Sequence, residues 1–201
     1  MKRLFSILAI LAIVPVLCFG ALAEVYTHPV MGYSFTIPEA WYVVDGANAA
    51  DLLTRLSEDA EQSALIRSQL SRVTNDPIVI LYENDRTSPL FANNINIVPM
   101  DIGAQMDIGE LFTFMDDFTN DIRNSVDDFD TLFPLTLTEM ETHRIAIMGG
   151  RFSANDIDLQ LWIIMLTSGK YLYQFTLTAL PEYSTDYLND MGYMADSFVA
   201  P

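Results

Sequence analysis

Residues 26–41 read "YTHPVMGYSFTIPEAW". Within them Tyr33, Phe35 and Ile37 alternate with Ser34, Thr36 and Pro38, the period-2 pattern of a half-buried strand. Gly32 suits a tight turn, which predicts a hairpin between Val25–His28 and the alternating run. Proline has no N–H to give a ladder, so the strand stops at Pro38. Trp41, Tyr42, Val43 and Val44 then resume an extended apolar run. Hairpin, proline corner and aromatic re-entry together predict the first edge of a sheet.

Working outward, the period changes. From Ala49 to Val73 the apolar residues recur at three- and four-residue steps with charged residues between them, predicting an amphipathic helical segment over about 47–73 that ends at Asn75, Asp76 and Pro77. Strands are expected at 78–83 ("IVILYE") and 93–100 ("NNINIVPM"). Residues 107–126 form a second amphipathic pattern, with Leu111, Met115, Phe118, Ile122 and Val126 on one stripe. "LTLTEM", "RIAIM", "LQLWIIML" and "YLYQFTLTAL" read as strands. Gly149-Gly150 reads as a tight turn or bulge, and Asn155-Asp156 as either a turn or a bulge in one long strand. Pro181 opens a last helix with Tyr183, Tyr187, Leu188, Met191, Met194 and Phe198 on one face. No repeat or linker interrupts the pattern. The expectation is an α+β fold, a mainly antiparallel β-sheet flanked by helices, with residues 24–201 as a single domain.

Three pieces carry a resemblance: the "Y-x-x-P-x-x-G-Y-S-F-x-I-P-x-x-W" hairpin, the "N-I-N-I-V" strand, and "Y-L-Y-Q-F-T-L-T" leading into a helix that ends in "D-S-F". Together they resemble the PsbP/Mog1-like family over nearly all of residues 24–201. The resemblance implies an antiparallel sheet covered by helices, an α/β/α sandwich. It supplies no catalytic residue to transfer. The helical segment 47–73 looks longer than the family's usual connection at that place, which makes it an insertion.

The first 23 residues read as an export leader. Lys2 and Arg3 precede an apolar run from Leu4 to Phe19, and Ala21-Leu22-Ala23 places small residues as a signal peptidase requires. The run is too short to span a bilayer and contains Pro15, so no stable membrane insertion is expected after cleavage. Leu17 is too bulky for a lipoprotein cleavage site before Cys18, and Cys18 is the only cysteine. The mature chain is expected at the cell exterior, secreted or surface-associated, without disulfides, and as a monomer. The formal net charge of −17 repels nucleic acid phosphates and anionic lipid, excluding both as partners.

Chemistry-bearing motifs are absent. "GYSFT" places Thr36 where a nucleophile elbow needs glycine, and no metalloprotease, phosphate-loop or dinucleotide pattern occurs. No cofactor and no catalytic residue is expected. His28 and His143 lie beside a strand end and a turn, too few for a histidine metal site. Trp41 and Trp162 lie in apolar runs and read as core. Asp116, Asp117, Asp121, Asp127, Asp128 and Asp130 could offer oxygen ligands to a cation, but the spacing is not that of a calcium loop. On a helix, Asp117, Asp121 and Asp128 fall opposite the apolar stripe, a solvated face. The reading is a non-catalytic binding or accessory module for a protein or peptide partner. A carboxylate-based hydrolase and a weak divalent-cation-binding protein remain as alternatives. Leu56, Ala60 and Arg67, on the helical segment, are the partner-binding candidates.

Overall fold

The computed structural model describes residues 24–46, 48–49, 78–83, 93–126, 128–139, 143–154 and 156–201. The leader and, apart from Asn48 and Ala49, the helical segment expected at 47–73 lie outside the described residues. So do Leu56, Ala60 and Arg67.

The alternating run folds as read. β1 (Glu24–Thr27) and β2 (Ser34–Ile37) pair antiparallel, with Tyr26 opposite Phe35. Tyr33, Phe35 and Ile37 are buried. Their turn closes through His28 N–H to the Tyr33 carbonyl at 2.8 Å and Gly32 N–H to the His28 carbonyl at 2.9 Å. Gly32 sits at φ +76°, in the left-handed region that favours glycine.

This hairpin is not the first edge of the main sheet, contrary to expectation. It is a separate two-stranded sheet. Two reciprocal bonds, Ser34 N–H to the Val199 carbonyl (2.9 Å) and Val199 N–H to that of Ser34 (2.8 Å), tie it instead to the chain's C-terminal end. Thr36 N–H adds a bond to Ser197 Oγ at 2.9 Å. The physical cause is the corner: Pro38 ends the ladder, its carbonyl accepts Trp41 N–H at 3.0 Å, and the chain turns away before pairing resumes.

β3 (Trp41–Val44) begins the main sheet. It is followed by β4 (Val79–Glu83), β5 (Asn94–Asp101), α1 (Ile108–Ser125), β6 (Asp130–Glu139), β7 (Arg144–Ala154), β8 (Ile157–Ser168), β9 (Tyr171–Ala179) and α2 (Ser184–Asp196). The seven strands are ordered β3-β4-β5-β9-β8-β7-β6, and every neighbouring pair is antiparallel.

The helices cover opposite faces because β8 and β9 alternate. Ile163, Met165 and Leu172 pack with Leu111 and Met115 of α1. Ile164, Leu166, Tyr173, Phe175 and Leu177 face the other way, against Met191 and Met194 of α2, Phe198 and the hairpin's Tyr33 and Phe35. The result is the helix–sheet–helix layering that the resemblance implied.

Gly149-Gly150 is neither a turn nor a bulge of its own strand. Both glycines lie inside β7, and the irregular register is in β6, around Phe133. A Cβ at Gly149 would lie 2.5 Å from Trp162 Cε3, and one at Gly150 would fall within the Phe129 ring. The glycines leave room for two aromatic rings, one on each face. At Asp156 the alternatives resolve to a turn: Ala154 pairs with Ile157, and Asp156 has φ +64°.

Candidate functional site

α1 starts with a capping box. Asp107 Oδ1 accepts the Glu110 backbone N–H, and Glu110 Oε2 accepts that of Asp107, both at 2.8 Å. Its stripe buries Leu111, Met115 and Thr119 and leaves Asp116, Asp117 and Asp121 exposed on the solvent side. The acidic stretch does not stay on one element. The helix ends at the extended cap residue Val126, so Asp128, read as helical, instead occupies a turn at φ +57° that lets Phe129 drop over Gly150. Asp130 opens β6 and binds Arg151 at 2.6 Å, and Asp127 lies outside the described residues. Among the described residues no group of three or more histidine, cysteine or carboxylate side chains is arranged to hold a metal ion.

The structure brings together a depression that the sequence reading did not find. It has a volume of about 750 Å³ and lies between the 102–107 connection and α1. Ile102, Met106 and Phe114 supply its half-buried apolar surface, and Asp107, Glu110 and Asp117 its acidic rim. The connection is fixed at both ends. Ile102 N–H extends the ladder to the Lys170 carbonyl at 2.9 Å, Gly103 turns the chain at φ +77°, and Arg144 Nη1 donates to the Met106 carbonyl at 2.9 Å.

No basic side chain of the described residues forms an ion pair with that rim. Among the described residues Arg151 pairs with Asp130, Arg144 with Glu139, and Lys170 with Asp101 at 2.6 Å, while Arg123 bonds Asn120 and Thr131. The Lys170 hydrogen bond holds the Asp101 carboxyl below the usual carboxylate range, and the same bond raises the Lys170 ammonium. What remains at the depression is an apolar floor with an acidic rim that forms no ion pair with a basic side chain of the described residues.

His28, Trp41 and Trp162 pack within the fold. His28 is buried, and its Nδ1 accepts the backbone N–H groups of Met31 and Val30 at 3.0 and 3.2 Å. Burial pulls this imidazole below the ordinary histidine range, outweighing the nearby Asp45 carboxylate. His143 precedes β7, half-buried. Trp41 is core, its indole N–H donated to Asp190 Oδ2 at 2.8 Å. Trp162 is half-buried over Gly149. Tyr26 donates its hydroxyl to Asp45 at 2.8 Å, and burial raises its phenol.

No family model matches the chain, and no curated protein matches it either. Solved structures do. LpqN of Mycobacterium tuberculosis, described as involved in cell envelope biogenesis, superposes with a TM-score of 0.55 at 9% identity, covering 91% of this chain and 88% of that one. The cyanobacterial PsbP of Synechocystis superposes with a TM-score of 0.54 at 14% identity, over 93% of this chain and 99% of that one. The fold is PsbP-like. A Bacteroides thetaiotaomicron protein matches at a TM-score of 0.53 and 12% identity, over 89% of this chain but 48% of its own length. At such identities the likeness is one of fold, as the hairpin and strand motifs implied.

Proposed function

We propose that this chain is an exported, non-catalytic accessory module that binds a protein partner through the depression beside α1. The observation that carries the reading is the pairing, at one place, of apolar Ile102, Met106 and Phe114 with a rim of Asp107, Glu110 and Asp117 that no basic side chain of the described residues neutralises. Such a surface complements a segment with one apolar and one basic face. The acidic chain as a whole draws the same kind of partner. In this reading residues 1–23 are removed on export and residues 24–201 act as one domain at the cell exterior. The envelope role stated for LpqN is consistent with that address.

The test is capture from the producing organism's envelope and medium with the mature chain and two variants. Asp117→Lys combined with Thr113→Arg reverses the rim, while Asp186→Lys changes a similarly exposed carboxylate on α2. The partner is expected to be retained by wild type and Asp186→Lys and lost with the rim variant. Equal retention by all would overturn the assignment.

A further inference from the structure

A flank of α1 that the depression does not use lies along an edge of the main sheet. β6 ends that sheet, with β7 its one neighbour among the described residues. Two anchors set α1 antiparallel beside it. Arg123 Nη2, in the helix's last turn, donates to Thr131 Oγ1 near the start of β6 at 2.9 Å. At the other end Glu139 pairs with Arg144, which also donates to the Met106 carbonyl just before the helix. Phe112 stands about three turns before Arg123 and looks the same way, with Ile108 one turn earlier on that flank. Both are exposed, Phe112 at 47% and Ile108 at 38%. Leu135 and Leu137 of β6 are half-buried against the α1-side core. An apolar strip therefore runs between helix and edge.

The edge is guarded over its first half and open over its second. Register shifts around Phe133 bulge the strand, Pro134 has no N–H to offer, and its carbonyl accepts the Thr136 hydroxyl at 3.1 Å. These are devices by which exposed strands avoid pairing. From Thr136 to Glu139 the ladder to β7 is regular, running from Thr136 opposite Ile147 to Glu139 opposite Arg144. Thr136, Thr138 and Glu139 are exposed. Alternate residues of such a strand turn N–H and C=O outward. Leu137, opposite buried Ala146, faces the α1 side, while Thr136 and Thr138 face the other way.

We propose that an extended segment of a partner protein adds to β6 at Thr136–Glu139 as a further strand, its α1-side side chains entering the strip beside Phe112. Outward backbone groups call for a second backbone, which a lipid or a small apolar ligand lacks. Alternation fixes the class of segment: apolar at every second residue to meet Leu137, polar between to meet Thr136 and Thr138. Asp116 is exposed one turn after Phe112, and the net charge is −17, so basic ends suit the segment. A second copy fits worse, because it brings the same net charge and its β6 carries the same bulges and proline. Ile108, Phe112 and Leu137 do not line the depression, so this site stands apart from the one beside it.

The experiment uses the folded mature chain, isotope-labelled, with backbone amide signals as the readout. The probes are capped heptapeptides Lys-X-Thr-X-Thr-X-Lys, with X valine, isoleucine, leucine, phenylalanine or tyrosine, at about 1 mM, a range that registers weak binding. At least one is expected to shift the amides of Thr136–Glu139 and of Phe112 saturably. N-methylation of one alternate set of its amides is expected to abolish the shift, and of the other set to leave it, since a ladder uses one side of a strand. Ile108→Glu with Phe112→Glu, both at exposed positions, is expected to weaken binding at least tenfold, with the remaining signals reporting that the variant is folded. Glutamate in place of both peptide lysines is expected to weaken it as well. No saturable shift from any of the five peptides would overturn the proposal. So would shifts confined to the depression, equal effects of the two methylated sets, or undiminished binding by the double variant or of the acidic peptides.

Discussion

His28 Nδ1 accepts the backbone N–H of Met31 at 3.0 Å, so the imidazole of the first turn must be neutral to hold it. Protonation would convert that acceptor to a donor and break the bonds from Met31 and Val30 together. Because burial lowers the folded-state pKa from 6.5, the unfolded chain binds the proton more readily. The stability contributed by His28 is therefore complete above about pH 6.5 and is lost as pH falls through the folded value. Urea unfolding across pH 7.5 to 5 is expected to show that loss in wild type and in His143→Asn. In His28→Asn this component should be missing, with about 1–2 kcal/mol of stability gone at neutral pH.

Three glycines separate packing from backbone effects. Gly149→Ala puts a methyl 2.5 Å from the Trp162 ring, and Gly150→Ala puts one into Phe129. Each is expected to cost about 1–3 kcal/mol as the ring is displaced. Gly192, inside α2, has nothing within 4 Å of an added Cβ. Gly192→Ala is expected to stabilise by about 0.5–1 kcal/mol through helix propensity. Thermal melts of the three variants test the contrast, and a destabilised Gly192→Ala would contradict it.

The carboxylates of α1 give a third expectation. Asp116, Asp117 and Asp121 are spread over an exposed helix face, and Asp130 is engaged by Arg151. Millimolar Ca²⁺ is expected to move the melting temperature by less than about 1 °C, and a rise of several degrees would reveal a cation site.

The strands were legible because period-2 alternation is local: Tyr33, Phe35 and Ile37 are buried as their spacing implies. The hairpin's detachment from the main sheet was not, since it depends on Val199, whose pairing with Ser34 no local pattern announces. Gly149 and Gly150 carried a turn signal. Their actual role depends on Trp162, across the β7–β8 pair, and on Phe129, which lies before β6. The capping box at Asp107 and Glu110 was readable from its spacing, and it could have drawn attention to the depression that α1 borders.

The central claim, that a protein partner docks beside α1, is tested most directly by photo-crosslinking in the producing organism. A photoreactive phenylalanine replaces Thr113 at the depression or, as a comparison, the exposed Thr185 on α2. The account predicts a protein adduct from position 113 that disappears when Asp117→Lys is added, and none from position 185. No adduct at 113, or equal adducts at both positions, would contradict it.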